Sequence, residues 1–305
     1  MSQSDTGSVS QGQPEFLTAA AKEVDEQPPA PEIDITKPHV ARMYDYYLGG
    51  KHNYAADRKA AEQVFKVFPE MRLTARVNRR FLIESVGWLV REAGIRQFLD
   101  IGSGLPTQQN VHEVAQALDK DARVVYVDND PLVRVHAETL LATDPNTIVI
   151  EADVRDPKAL LDRPELREHL DFSRPVALLL VAVLHFVQDT EQACQIVRTL
   201  CDALPSGSYL VLSHGTAEGL EESVVAHGRA AYSRSSSGVF PRTRDEIAGF
   251  FAGLTPVGDG LSHVADWQLP GRPDGHEGDG NVTPLGDPAA LRKVQLMCGI
   301  ARVDR

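Results

Sequence analysis

Three cysteines in 305 residues, Cys194, Cys201 and Cys298, are too few and too scattered to frame a disulfide scaffold. Two of them lie seven apart in one helical run, so reduced thiols in a core are expected. The histidines are equally dispersed: without His-x-x-x-His or clustered Cys, no metal site is expected. Long apolar runs are missing as well. The longest, 176–187, falls short of the roughly 20 residues that a membrane span needs and carries His185. The first residues hold no apolar signal core, so a cytoplasmic chain without a membrane partner is expected. Cations are in deficit, 31 Lys and Arg against 43 Asp and Glu, giving a net charge of -12. That balance argues against duplex nucleic acid, whose affinity rests on basic side chains neutralising phosphates. Arg72, Arg76, Arg79 and Arg80 come closest to a basic patch, but their spacing is that of the wet face of a helix.

What remains is ordinary for a globular chain with a sizeable core, 42% hydrophobic and 24% charged. Residues 1–35, rich in Ser, Gln, Pro, Glu and Asp with no sustained apolar period, read as a disordered leader. Residues 36–94 turn helical and form a candidate cover. A short aromatic helix over 40–48 closes at Gly49-Gly50, and Asp57 is placed to cap a second helix running to Phe68. A third helix over 72–93 carries Phe81, Val86, Leu89 and Val90 as its buried stripe.

Over 95–305 strands and helices alternate, which predicts a mostly parallel sheet with helices on both faces. Strands are expected at 97–101, 123–128, 147–151, 175–181 and 208–213, then a sixth within 257–264 and a last one at 294–303. The Gly/Pro/Asp-rich stretch 269–287 reads as a long loop.

The organising stretch is Gln97-Phe98-Leu99-Asp100-Ile101-Gly102-Ser103-Gly104-Leu105-Pro106-Thr107. A buried strand runs into two glycines, then into a helix over 108–118 with Thr107 placed to cap it. This geometry turns backbone N–H groups toward a nucleotide-like ligand, and a Cβ would block the turn or the approach. The next strand ends in Asp128, about 20 residues on, where a carboxylate can meet ribose hydroxyls. The third glycine of a dinucleotide fingerprint would fall at position 107, which is Thr, so pyrophosphate binding is disfavoured. A ligand with adenosine and no phosphate fits better, and S-adenosylmethionine is such a ligand.

These features, with Tyr44-Asp45-Tyr46-Tyr47-Leu48-Gly49-Gly50-Lys51-His52-Asn53-Tyr54, Arg76-x-Asn78-Arg79 and Val127-Asp128-Asn129-Asp130-Pro131, resemble a bacterial family of S-adenosylmethionine-dependent class I methyltransferases. The resemblance runs from about Ile35 to the C-terminus. It implies a Rossmann-like α/β fold with a seven-stranded sheet of order 3-2-1-4-5-7-6, the seventh strand antiparallel, and S-adenosylmethionine as cofactor. Pro106 stands where the wider group often has a third glycine; it stiffens the turn and removes one N–H.

On this resemblance Asp100 lies near the amino group of the methionine moiety, and Gly102, Ser103, Gly104 and Thr107 line the cleft. Asp128 accepts from the ribose, with Asn129 or Asp130 beside the sugar or the adenine edge. Asp153 and Val154 face adenine, while an N-cap role serves the Asp153 side chain equally well. Ala182 and Val183 follow the fourth strand, where sulfonium and methyl acceptor meet. His185, and more weakly His214, are candidate general bases; a structural histidine is the competing reading. Tyr44, Lys51, Asn53, Tyr54 and Asn78 are candidates for the cover, and Arg76 for the methionine carboxylate. The expected activity is in-line methyl transfer to a small molecule in a shielded cleft. The alternatives are a non-catalytic sensor of the same ligand or partner protein that keeps the fold, and a nicotinamide-dependent oxidoreductase, the latter opposed by Thr107 and Asp153. The acceptor atom and the oligomeric state, monomer or homodimer, stay open.

Overall fold

The computed structural model describes residues 34–106, 109–135, 144–233, 235–269 and 287–304. The expected leader, up to residue 33, lies outside the described residues, as do Thr107 and most of the 269–287 loop. Five parallel strands form the centre: β1 (Gln97–Ile101), β2 (Arg123–Asp128), β3 (Thr147–Glu151), β4 (Ala177–Val181) and β5 (Tyr209–Gly215). β1, β2 and β4 are buried almost throughout and mostly apolar, as strands covered on both faces must be. Two short strands follow, β6 (Thr255–Pro256) and β7 (Ser262–His263), and both pair antiparallel with β8 (Leu296–Arg302). β8 is itself antiparallel to β5, and the sheet order is β3-β2-β1-β4-β5-β8-β6.

The Rossmann-like order is the one the resemblance implies, with the antiparallel strand carried by β8. The single strand expected within 257–264 is instead two strands flanking a turn. Gly258 (φ 60) and Gly260 (φ 67) take left-handed conformations there, which interrupts the ladder. Gly299 in β8 admits this turn, because a Cβ on it would come within 3.1 Å of the Gly260 carbonyl oxygen.

Among the described residues three helices precede the sheet: α1 (Val40–Leu48), α2 (Ala55–Val67) and α3 (Met71–Arg91). α1 stops at Gly49, whose left-handed φ of 83 turns its N–H back to Asp45 and Tyr46 carbonyls. Asp57 is not the cap of α2. It sits at the third helical position and accepts the Tyr54 N–H at 2.8 Å. After β1, α4 (Val111–Leu118) is capped by Asn110, with Glu113 reciprocating, so this helix starts three residues later than expected. Further α-helices among the described residues include α5 (Pro157–Leu161), α6 (Pro164–His169), α7 (Thr190–Asp202), α8 (Glu222–Tyr232), α9 (Arg244–Ala248) and α10 (Pro288–Leu291).

α3 belongs to two layers. Its C-terminal half presses Phe81, Val86, Leu89 and Val90 onto Phe98, Val124 and Leu179 of the sheet. Each fully buried side chain of this kind contributes about 1.5–3 kcal/mol. Its N-terminal half joins α1 and α2 in a separate cluster around Met43, Tyr47, Val64, Ala75 and Tyr232. The segment 44–58 is braced from within. Asp45 accepts from His52 N at 2.9 Å and Asn53 Nδ2 at 2.8 Å, and a Cβ on Gly50 would lie 2.0 Å from its carboxylate. Fully buried Asp57 also takes the His39 N–H at 2.8 Å, tying the start of α1 to that of α2.

Candidate cofactor site and active-site cavity

The loop after β1 is built on a close approach. Gly102 has a φ of 75, and a Cβ on it would fall 2.4 Å from Val183 Cγ2, across in the loop after β4. Its N–H, and that of Ser103, reach the Val127 carbonyl at 2.7 and 3.2 Å. Gly104 donates to Asp128 Oδ2 at 2.8 Å, and Asp130 N donates to Oδ1 at 2.9 Å. Two backbone donors thus fix the Asp128 carboxylate while leaving each oxygen a lone pair. Burial raises its pKa.

A cavity of about 240 Å³ opens here. Asp100, Gly102, Ser103, Gly104, Asp128 and Asn129 border it from the first two strand ends. Asp153 and Val154 border it after β3, and Ala182, Val183 and His185 after β4. Tyr44 and Asn78 close it from the helical side. Other expected residues lie elsewhere. Arg76 is exposed and outside the lining, whereas Arg79, one turn further along α3, borders the cavity. Asp130 accepts from Leu132 N at 3.0 Å and pairs with His39 Nδ1 at 2.9 Å, and His39 is the one of the two at the cavity wall. Lys51 is exposed, Asn53 is spent on bracing Asp45, and Tyr54 packs beside Leu105 and Leu132.

Two carboxyls are in opposite states. Asp100 is fully buried at the cavity edge with no hydrogen-bond partner among the described residues, and burial pushes its pKa to about 7. Arg79 draws it back down and Asp128 pushes it further up. Asp153 is gripped by the Arg155 side chain, with Nε 2.9 Å from both carboxylate oxygens, which holds its pKa below the usual carboxylate range. Ser103 Oγ is buried beside the cavity and also lacks a partner.

The two histidines differ in kind. His214 is fully buried, lies outside the cavity lining and has both ring nitrogens engaged: Nδ1 with the Gly215 carbonyl at 2.7 Å, and Nε2 with Arg242 Nη1 at 2.9 Å. An arginine only donates, so Nε2 accepts and the ring is the neutral Nδ1–H tautomer. Buried Arg242 also donates to the Leu184 and Val187 carbonyls at 3.1 and 2.8 Å, pinning the turn after β4. His214 is thus held within this network, away from the cavity wall. His185 does border the cavity. Burial, reinforced by Arg242, lowers its pKa to about 4, and its Nδ1 accepts the Gly215 N–H at 3.4 Å.

Comparison with known proteins agrees with this geometry. A family model described as S-adenosyl methyltransferase matches residues 26–304. The solved structure of a DUF574 family protein from Streptomyces avermitilis is 40% identical, aligned over 88% of this chain and 100% of that one, with a TM-score of 0.77. A proposed methyltransferase from Thermobifida fusca is 42% identical over 91% of this chain and 99% of that one, with a TM-score of 0.79. No curated protein matches. The chain belongs to the S-adenosyl methyltransferase family.

S-adenosylmethionine is therefore the cofactor of this methyltransferase. The residues present suit it. Among the described residues the Asp100 carboxyl and Ser103 hydroxyl have no hydrogen-bond partner, and a Cβ on Gly104 would meet no atom within 4 Å, which leaves room and polar groups for a ligand. Among the described residues no group of three or more His, Cys, Asp or Glu is arranged to hold a metal ion, and no helix is long and apolar enough to cross a membrane. None of the three cysteines forms a disulfide.

Sequence reasoning missed the far half of the cavity. Tyr47, Phe68, Met71, Phe186, Tyr232 and Val239 make it apolar and aromatic. Tyr47 stood in the aromatic helix, but nothing in the pattern around Tyr232 marked it. A chain of hydrogen bonds runs from the loop after β4 through β5 to α3 and α1. Ala182 N donates to Ser213 Oγ at 3.0 Å, Ser213 Oγ to Asn78 Oδ1 at 2.6 Å, Asn78 Nδ2 to Tyr44 Oη at 2.9 Å, and Tyr44 Oη to the Ala75 carbonyl at 3.2 Å. Ala182 itself holds a left-handed φ of 58, uncommon for a residue with a Cβ.

Proposed function

We propose that this methyltransferase acts on a small molecule bound in the apolar half of the cavity, with cofactor held along the strand ends. In this reading Asp128 accepts the ribose hydroxyls, and a carboxylate doing so makes charge-assisted bonds. Asp100 faces the amino group, and Arg79, rather than Arg76, is the cation near enough to serve the methionine carboxylate. Val154, with Asp153 as far as Arg155 releases it, bounds the adenine. Ala182 and Val183 form the wall between cofactor and acceptor.

Bound S-adenosylmethionine supplies an electrophilic methyl group on a sulfonium. The protein's task is then to align an acceptor lone pair and exclude water, which alone yields large rate gains. The cover helices and the Ser213–Asn78–Tyr44 chain serve that alignment. His185 is neutral near pH 7, and with Nδ1 accepting from Gly215 it presents Nε2–H. It therefore acts as a hydrogen-bond donor or wall and not as the general base.

One observation carries the reading: Gly102, Asp100, Asp128 and Asp153 border the same cavity, whose remaining walls are largely apolar. Co-crystallisation with S-adenosylhomocysteine tests it. The nucleoside is expected against Asp128 and Val154, with open space beyond the sulfur toward Phe186 and Tyr47. A nucleoside found elsewhere, or a sulfur facing a filled wall, overturns the proposal.

A further inference from the structure

We propose that the far half of the cavity takes a largely apolar, ring-sized acceptor bearing an oxygen that receives a hydrogen bond from the Tyr47–Tyr232 hydroxyl pair. This rests on the reading of that half as the acceptor chamber. Tyr47 in α1 and Tyr232 in α8, 185 residues apart, meet hydroxyl to hydroxyl at 2.8 Å. Both border the cavity, and only 3% and 7% of their surfaces are exposed.

Two hydroxyls carry two hydrogens, and the bond between them uses one. Whichever donates, the other hydrogen has no acceptor among the described residues. A buried donor left without a partner is costly, so a ligand that accepts from it is favoured. Burial keeps both phenols protonated, that of Tyr232 with a pKa pushed up to about 12, so the spare hydrogen persists over the physiological range. The pair thus holds a fixed, uncharged donor at the chamber wall.

The surroundings set the rest of the ligand's chemistry. Phe68 and Phe186 supply flat apolar walls, and Met71 a deformable one. Phe68 comes close because residue 228 is glycine, where a Cβ would lie 2.6 Å from its Cε2. Tyr47 packs against the rings of Phe65 at 5.4 Å and Tyr44 at 6.4 Å, centroid to centroid, which restricts its side chain. Charged lining residues here are turned partly to solvent: Lys293, itself largely exposed, stands 3.9 Å from Glu70, and exposed Arg229 lies over Phe240. An apolar body with one acceptor oxygen matches this wall, whereas a highly charged molecule does not.

Two probes of one shape separate the hydrogen bond from apolar fit: 4'-fluoroacetophenone, and 4-fluoro-α-methylstyrene with C=CH2 in place of C=O. Each is titrated by fluorine NMR into wild type and Y47F/Y232F, with and without S-adenosylhomocysteine. The ratio of styrene Kd to ketone Kd is expected to fall at least fivefold in the double variant, with styrene binding retained. As a second readout, the C=O stretch of the ketone on wild type is expected at lower frequency than in hexane. A smaller change in the ratio together with an unshifted stretch, or no ketone binding by wild type, overturns the proposal. Should the double variant not fold, the wild-type stretch decides alone. Failure of S-adenosylhomocysteine to bind would instead strike the cofactor reading, since the probe ratio without it is measured independently.

Discussion

Ser213 Oγ donates to Asn78 Oδ1 at 2.6 Å, joining the end of β5 to the middle of α3. It ties the sheet to the helices that border the cavity. Both side chains are buried, Ser213 fully, so water does not readily take the place of the lost partner.

Asn78→Ala removes the centre of that chain and strands the Ser213 hydroxyl. A loss of about 2–4 kcal/mol in stability is expected, from unmade buried hydrogen bonds and the void left behind. Urea denaturation reads it, and a loss below about 0.5 kcal/mol would show that the link contributes little.

Gly102 and Gly104 both take positive φ, yet only Gly102 is crowded. Gly102→Ala must push Val183 aside and bear backbone strain of about 1–3 kcal/mol, whereas Gly104→Ala bears the strain alone. Thermal unfolding is expected to show the larger drop for Gly102→Ala, partly restored by adding Val183→Ala. Equal drops for the two glycine variants would contradict the close approach.

Asp100 couples stability to pH. Its folded pKa of about 7 lies above its ordinary value of 3.8, so the folded state binds the extra proton between those values. Stability of the cofactor-free protein therefore falls as pH rises from about 4 to about 7 and levels off above. Asp100→Asn is expected to remove that slope. Binding runs the other way: an ammonium needs the ionised carboxylate, so S-adenosylhomocysteine affinity should rise with pH up to about 7, by at most tenfold per unit. An affinity flat from pH 5 to 8 in wild type would contradict the assignment.

His185 stays neutral down to about pH 4. The pH profile of kcat should accordingly lack an ionisation near 6.5, and His185→Gln should alter its level without changing its shape. An inflection near 6.5 that His185→Gln abolishes would restore the general-base role.

Much of the sheet was legible because its strands are short, apolar and followed by glycine or acid. β1, β2 and β3 and helix α1 fall where the pattern puts them. Long-range partners were not legible. His214 looks like any histidine after a strand until Arg242, 28 residues on, takes its Nε2. Arg76 and Arg79 are one helical turn apart, and periodicity alone cannot say which one reaches the strand ends. Tyr232 faces Tyr47 only because α8 folds back over the first helices. The division of β6 from β7 depends on how the turn at Gly260 meets Gly299, a contact across the sheet that local pattern does not carry.

The assignment of Asp128 to the ribose is the centre of the account, and calorimetric titration of S-adenosylhomocysteine into wild type and Asp128→Asn tests it most directly. Wild type should bind, and the variant, its fold checked by thermal unfolding, should lose about 1.5–3 kcal/mol of affinity, the worth of hydrogen bonds to a charged group. Equal affinity in a folded variant would contradict it.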